Sequence, residues 1–428
     1  LRGRYTMSRP HITFERLEQA AESFQLAVEL DPGFALAYAE AAIVHGRMFS
    51  LRHDTSDQRR QAAEAAVGKA LKLAPNSPRA HLALAYHHLW IDEDHDAALT
   101  QLAIAQRGLP NSVDVLSATA AILETQGRWQ EALVKLERAF ELSPRDASLP
   151  TMIAHVHWVQ RQYPEAVAAS DRAIALAPDG LWPYLYKFFA IWSWRGAGPA
   201  SRSVLETIPD QDDDWTRWSW FQQDLQEGNY GLALDRLASM NHDWIRLKTF
   251  ERPKPWLEAQ LFELMGEPGR ATQAWQEACR LLEADIRSKP DNPRLHSSLG
   301  IGYAALGREQ EAVREGNRAT HLLPLSEHAF YGLPYVVDLA HIYTLVGDSD
   351  AAVDQLEFLL STPSWISVPL LRSDPRWDPL RADPRFQQMM ERFAPVELPP
   401  RQASFEPAGK RQGYSGLKMT YRSLSYGC

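Results

Sequence analysis

The chain has 428 residues, 45% of them apolar and 23% charged, which is the composition of a folded protein and not of a disordered one. A net charge of −9 argues against general nucleic-acid binding, and two cysteines, Cys279 and Cys428, form neither a disulfide framework nor a thiolate metal site. No apolar run reaches the roughly 18 residues of a membrane helix. No signal peptide is visible, and the opening Leu1-Arg2-Gly3 without a methionine points to a segment of a longer protein.

Taken in order, the chain repeats one motif: a helix with a small residue in its middle, a turn, a second helix of the form Ala-x3-large-x2-Ala, and a proline five residues on. The first such second helix, Leu17 to Leu30, carries Ala20, Phe24, Ala27 and Pro32. After an inserted loop at Ser50–Asp57 come Ala63, Val67, Ala70 and Pro75, then Ala98, Leu102, Ala105 and Pro110. The clearest unit is Gln126–Pro144, where Gly127 breaks one helix, Ala132, Leu136 and Ala139 share a face at i, i+4, i+7, and Pro144 ends the next. A fifth unit has Ala166, Ser170, Ala173 and Pro178. From Pro110 through Pro144 to Pro178 the step is 34 residues each time. Alanines at helix crossings allow the axes to approach to roughly 8–10 Å.

This period and pattern resemble the tetratricopeptide repeat over about residues 1–360. The first-helix signature is matched best at His296, Leu299, Gly300, Tyr303 and Gly307, followed by Ala312, Ala319 and Pro324. Another unit carries Leu339, Ala340, Tyr343, Gly347 and Ala352. The resemblance implies an all-α, TPR-type superhelical solenoid of about ten helix-turn-helix units, with first helices lining a concave groove, irregular central repeats and a C-terminal helical cap.

The divisions expected are regular units over 1–178, irregular Trp-rich units over 179–250, further units with a cap over 251–395, and a disordered basic tail over 396–428. Residues 179–250 keep helical periodicity but lose the terminal prolines, and Thr207 and Met240 stand where alanine is expected. After Ala278 the helix runs on to Lys289, about two turns longer than the repeat needs. The cap is read from Asp374-Pro375 and Asp383-Pro384, each a start for a short helix with Asp as N-cap and Pro at N1, with Trp365, Trp377 and Phe386 covering the last repeat. The tail has five Lys/Arg against two Asp/Glu. Leu1-Arg2-Gly3-Arg4-Tyr5 and the stretch from Pro363 to Phe386 look like the two ends of the array in large bacterial regulators. There the array follows a kinase, cyclase or winged-helix domain, often with a TolB-like segment between. None of those domains is in this chain, so the resemblance implies a setting for signal transduction and not an activity of its own.

Motif searches for chemistry are negative: no phosphate-binding glycine loop, no His-Glu-x2-His and no Gly-x-Ser-x-Gly. Asp210, Asp212 and Asp214 alternate like a calcium loop, but Trp215 and Phe221 stand at positions 6 and 12, so a solvated acidic loop is the reading. His81, His87, His88, Asp92, Glu93, Asp94 and His95 form the best metal candidate, against the plainer reading of packing histidines and a polar turn. No cofactor and no metal is expected, and the chain reads as non-catalytic.

The sharper feature is aromatic, because nine of fourteen tryptophans lie between Trp182 and Trp275. By the family's concave positions, the groove carries His155 and Trp158, then Trp182, Leu185, Tyr186, Phe189 and Trp192, then Trp215 and Trp218, then Trp256. Lys187, Arg195 and Arg217 lie beside them. Trp194, Trp220 and Trp275 are read as core. This wall would bind a peptide or partner protein, since aromatic and Arg anchors make hot spots; large side chains filling a loose core, or carbohydrate binding, are the alternatives. The regulatory arm of an enzyme whose catalytic domain lies outside this chain is the other class of function. The basic tail, with Tyr414, Tyr421 and Tyr426, could lie in the acidic array. The lack of structural disulfides points to the cytoplasm, or to the periplasm if a membrane helix lies upstream.

Overall fold

In chain order the helices of this computed structural model, which describes residues 14–50, 54, 56–240 and 242–394, follow the predicted grammar. An opening helix α1 (Phe14–Leu30) precedes nine helix hairpins. These are α2 (Ala35–Ser50) with α3 (Asp57–Leu73), α4 (Pro78–His87) with α5 (His95–Gly108), α6 (Val113–Thr125) with α7 (Trp129–Leu142), and α8 (Ser148–Val159) with α9 (Tyr163–Leu176). Next come α10 (Leu181–Arg195) with α11 (Pro199–Glu206) and α12 (Asp214–Gln226) with α13 (Tyr230–Ser239). A hairpin of β1 (Trp244–Arg246) and β2 (Glu251–Pro253) precedes α14 (Lys254–Leu264) with α15 (Pro268–Ser288), α16 (Pro293–Ala305) with α17 (Glu309–Leu322), and α18 (Leu333–Leu345) with α19 (Ser349–Ser361). The end is α20 (Val368–Ser373), a 3-10 turn (Pro375–Leu380) and α21 (Pro384–Arg392). The protein is an all-α solenoid of the tetratricopeptide type, and the described residues up to Phe393 form one compact unit.

The prolines set the stops. Helices α1, α3, α5, α7, α9 and α17 each end two residues before a proline. A proline ring drives the preceding residue out of the helical region; Ala74, Leu109, Ser143, Ala177 and Leu323 accordingly have ψ between 59° and 84°. At the helix crossings Ala98, Ala105, Ala132, Ala139, Ala166, Ala173, Ala312 and Ala319 have no exposed surface. One close crossing is at Gly300, where an added Cβ would lie 2.7 Å from Ile342 Cδ1 and 3.0 Å from the Ala312 carbonyl oxygen. One of those neighbours is backbone, so Gly300→Ala is expected to cost about 1–3 kcal/mol in chemical denaturation. A neutral result would mean that α16, α17 and α18 cross further apart.

The central irregularity has a local cause. Helices α11 and α13 are only 8 and 10 residues long. Thr207 and Met240 therefore cap shortened helices and do not pack as the last alanine of full ones. The helical periodicity expected through residue 250 is not realised after Ser239. Trp244 pairs with Pro253 and Arg246 with Glu251 in an antiparallel hairpin, with Pro253 and Pro255 barring a helix through this stretch. Helix α15 does run to Ser288.

The cap forms as its sequence suggests. Asp374 accepts from Arg376 N, and Asp383 from Arg385 N and Phe386 N. Trp377 and Phe386 are buried with α18 and α19. Trp365 packs against the same cluster, as expected, but does not stop there. It is half-buried and also stacks on Trp158, 207 residues earlier in the chain.

 Gly127 likewise meets Ala329, 202 residues later.

The array thus closes on itself. Ala329 N donates to the Thr125 carbonyl at 2.8 Å, and Ser367 Oγ to the Ser193 carbonyl at 2.5 Å. Ser373 Oγ donates to Gln226 Oε1 at 3.0 Å, and Leu370 packs among the buried residues of α10 and α11. Arg161 fastens the seam: Nε donates to the Ile366 carbonyl, and a terminal nitrogen to the Leu359 and Thr362 carbonyls and to Ser364 Oγ, all at 2.7–3.0 Å. Its backbone is left-handed, with φ of 59°. The matching turns of six other pairs place Gly127, Gly196, Gly228, Gly266, Gly307 and Gly347 at positive φ.

Candidate functional site

Helices α8, α10 and α12 bring six of the predicted residues into one continuous aromatic strip. The His155 ring lies 5.2 Å from Tyr186 and 6.0 Å from Trp158. Trp158 stacks on Phe189 at 5.1 Å, Phe189 meets Trp215 at 6.3 Å, and Trp215 meets Trp182 at 5.6 Å. Trp182 returns to Tyr186 at 5.6 Å. His155 Nδ1 is 2.8 Å from the Glu124 carboxylate, and Trp158 Nε1 donates to Ser193 Oγ at 3.0 Å. Burial pushes the Tyr186 phenol well above its ordinary value, which keeps it neutral.

Four predicted groove residues are elsewhere, among them Leu185, which has no exposed surface and packs with Phe188, Val204 and Leu205. Trp256 is 1% exposed, donates to the Ser298 carbonyl and carries Arg252 4.0 Å above its ring. Trp192 is buried against Phe188 between α10 and α11. Trp218 stacks on Phe221 and meets Phe250 at 4.4 Å in the cluster under the β hairpin. Trp192 shares α10 with Trp182, Tyr186 and Phe189 but lies on the face that packs on α11, while Trp218 and Trp256 lie in the cluster that includes the β hairpin. Of the three read as core, Trp220 and Trp275 are buried, while Trp194 is half-buried with Arg195 over its ring.

The strip has a covered end and an open end. Phe330 lies 4.7 Å from His155 and 6.0 Å from Trp158, and Trp365 stacks on Trp158 at 6.4 Å. Only 5% of Trp158 remains exposed, against 41% of Trp182. Sequence reasoning missed Phe330, Trp365 and Arg161 as members of this site. The one available signal was Gln160-Arg161-Gln162, a turn with no glycine where other units have one. Charge at the open end is largely acidic: Asp210 and Asp212 are exposed, Arg217 pairs with Asp212 at 3.0 Å, and Lys187 pairs with Asp171 at 2.7 Å.

The other candidates resolve into structural roles. Asp210 accepts from Asp212 N, and Asp213 caps α12 through Trp215 N. His81 bridges Gln101 and the Pro75 carbonyl, His88 binds Asp92, and Asp94 caps α5. No group of three or more metal-binding side chains gathers among the described residues. No described helix is long and apolar enough to cross a membrane. The expected contact of the tail with the array concerns residues 396–428, outside the described residues.

One covering contact is acid-sensitive. His328, beside Tyr331 and facing His95, His155 and Lys248, is pushed down to about 4 by burial, with those three charges adding to the effect; Glu124 is the acid beside His155. Its folded value lies below the unfolded one of about 6.5. Its contribution is therefore complete above pH 6.5 and is lost as pH falls toward 4, by up to about 1.4 kcal/mol per pH unit. Amide exchange across residues 325–331 is expected to rise over that window, and His328→Asn is expected to flatten the rise. An equal rise in both proteins would assign the effect to other groups.

No protein-family model matches the chain, and no curated protein matches it. Several solved structures are similar to it at low identity. The human IFIT1 dimer with m7Gppp-AAAA is 14% identical, with a TM-score of 0.44 over 73% of this chain and 69% of that one. PilF of Pseudomonas aeruginosa is 16% identical, with a TM-score of 0.33 over 57% and 91%. A tetratricopeptide repeat protein from Parabacteroides merdae is 13% identical, with a TM-score of 0.36 over 67% and 93%.

Proposed function

We propose that this chain is a non-catalytic protein-interaction scaffold that docks a peptide of a partner protein on the open end of its aromatic strip, at Trp182 and Trp215 with Tyr186 and Phe189 behind them. The observation that carries this reading is the exposure of Trp182, 41%, on a strip whose other members hold it in place. A large aromatic ring that is pre-positioned and solvent-facing loses little conformational entropy on binding, which is why such rings dominate interface energetics. The resemblance of the chain's ends to those of bacterial regulators supports a place as the sensing or docking arm of a larger signalling protein. Affinity capture with the full chain, followed by binding measurements on the captured partner, tests it. Trp182→Ala is expected to weaken binding by at least about 30-fold, the effect of a hot-spot residue worth about 2 kcal/mol. Equal binding by a folded variant would remove Trp182 from the interface.

A further inference from the structure

One arrangement of side chains recurs inside this molecule: an arginine lies over a tryptophan ring and donates to an aspartate beside it. Arg236 lies 4.4 Å above Trp220 and donates to Asp224 at 2.6 Å. Arg252 lies 4.0 Å above Trp256 and donates to Asp338 at 3.0 Å. The open end of the strip has the ring and the aspartates without the arginine. Trp182 is 41% exposed, and among the described residues no Arg or Lys is seated over its ring or over that of Trp215, 5.6 Å away. The start of α12 and the turn before it hold Asp210, Asp212, Asp213 and Asp214 against one arginine, Arg217. That arginine is engaged within the group, 3.0 Å from Asp212 and 3.7 Å from Asp214, and Lys187 on α10 is engaged by Asp171 at 2.7 Å. Asp210 and Asp212 stay exposed. Burial, with the charges of Asp210 and Asp214 adding to it, pushes the Asp213 carboxyl above its ordinary value. The turn therefore carries more negative charge than its own arginine balances, next to an aromatic face that bears no cation.

We propose that the peptide taken at the open end is basic: an arginine of the partner lies over the Trp182 ring, and its guanidinium reaches the carboxylates of Asp210 and Asp212. The interface then repeats the arrangement that Trp220, Arg236 and Asp224 make within the chain. Arginine suits the place better than lysine, because its planar fork stacks on an indole while it offers paired donors to carboxylates. The surplus of aspartates draws a cationic peptide in and turns an acidic one away. This inference rests on the reading of the open end as a docking surface, and it names the chemistry of what docks there.

The test uses the full chain and three fluorescein-labelled peptides of equal length on a Gly-Ser frame, carrying arginines, lysines or glutamates at the same places. Anisotropy titrations read the affinities. The arginine peptide is expected to bind tightest, the lysine peptide at least about 3-fold more weakly, and the glutamate peptide not at all. Asp210→Asn with Asp212→Asn keeps the Oδ1 acceptor that holds the turn and removes two charges. This variant should bind the arginine peptide at least about 5-fold more weakly, the effect of one or two exposed ion pairs. Trp182→Ala should weaken it by a similar factor. Raising the salt from about 0.05 to about 0.5 M should weaken binding by the wild type, and binding by the aspartate variant less. Arginine and glutamate peptides bound alike, no binding of the arginine peptide, or equal binding of it by the wild type and a folded aspartate variant overturns the proposal. Partner capture with the same variants separates this inference from the docking reading. Capture lost in Trp182→Ala but unchanged in the aspartate variant would leave the docking function standing and remove only the basic peptide. Arginine-peptide binding that depends on Asp210 and Asp212, with capture indifferent to Trp182, would do the reverse.

Discussion

Arg161→Gly is expected to destabilise the protein by about 2–4 kcal/mol, and Arg161→Ala by roughly 1 kcal/mol more. The clamp consists of charge-assisted hydrogen bonds, each worth about 1.5–3 kcal/mol but not additive within one guanidinium. Burial of that guanidinium lowers its pKa, so part of the gain is spent on desolvation. Glycine also relieves the left-handed backbone that arginine holds at φ 59°, whereas alanine keeps the strain and loses the clamp. The order of the two variants is therefore diagnostic. Chemical denaturation reads the stabilities, and faster amide exchange should be confined first to residues 359–373. If alanine proves as stable as glycine, the residue is not held in the left-handed region.

A second large effect is expected at Asp338. It accepts from Arg252 at 3.0 and 3.1 Å and from Ser297 Oγ at 2.6 Å, with Arg252 also lying over Trp256 and Phe250. Arg252 and Asp338 are each 5% exposed. Arg376, bound to Asp374, and uncharged His341 complete the surroundings. Removing one partner of a buried pair leaves a charge without compensation, so Asp338→Ala is expected to cost about 3–5 kcal/mol. Replacing both partners removes both charges: Arg252→Met with Asp338→Leu should recover most of that loss, giving a coupling energy well beyond additivity. A double variant no more stable than Asp338→Ala would mean that the pair is needed for packing shape and not for charge balance.

These two sites show where sequence was informative and where it was not. Local rules were legible: proline stops, buried alanines and the Asp-Pro caps depend on residues within one or two turns of each other. The 34-residue step placed Trp158, Tyr186, Phe189 and Trp215 on first helices, and the structure brings them into one strip. What could not be read was the accumulated curvature of the array. The meetings of Gly127 with Ala329 and of Arg161 with Ile366 depend on every helix crossing between them. Trp192, Trp218 and Trp256 were misplaced because each packs into a cluster between neighbouring elements, Trp192 against α11 and the other two around the β hairpin. Arg252 shows the same limit, because its charge is satisfied by Asp338, 86 residues later.

Closure of the array is the central claim, and a cross-link tests it most directly. A Cβ built at Gly127 lies 3.2 Å from that of Ala329, near the 3.5–4.5 Å typical of a disulfide. With Cys428 replaced by serine and Cys279 left buried, Gly127→Cys with Ala329→Cys should oxidise to an intramolecular disulfide in the full chain, at low protein concentration and without denaturant. Two free thiols under the same oxidant, in a protein with wild-type helix content, would contradict a seated 325–331 turn and with it the closed array.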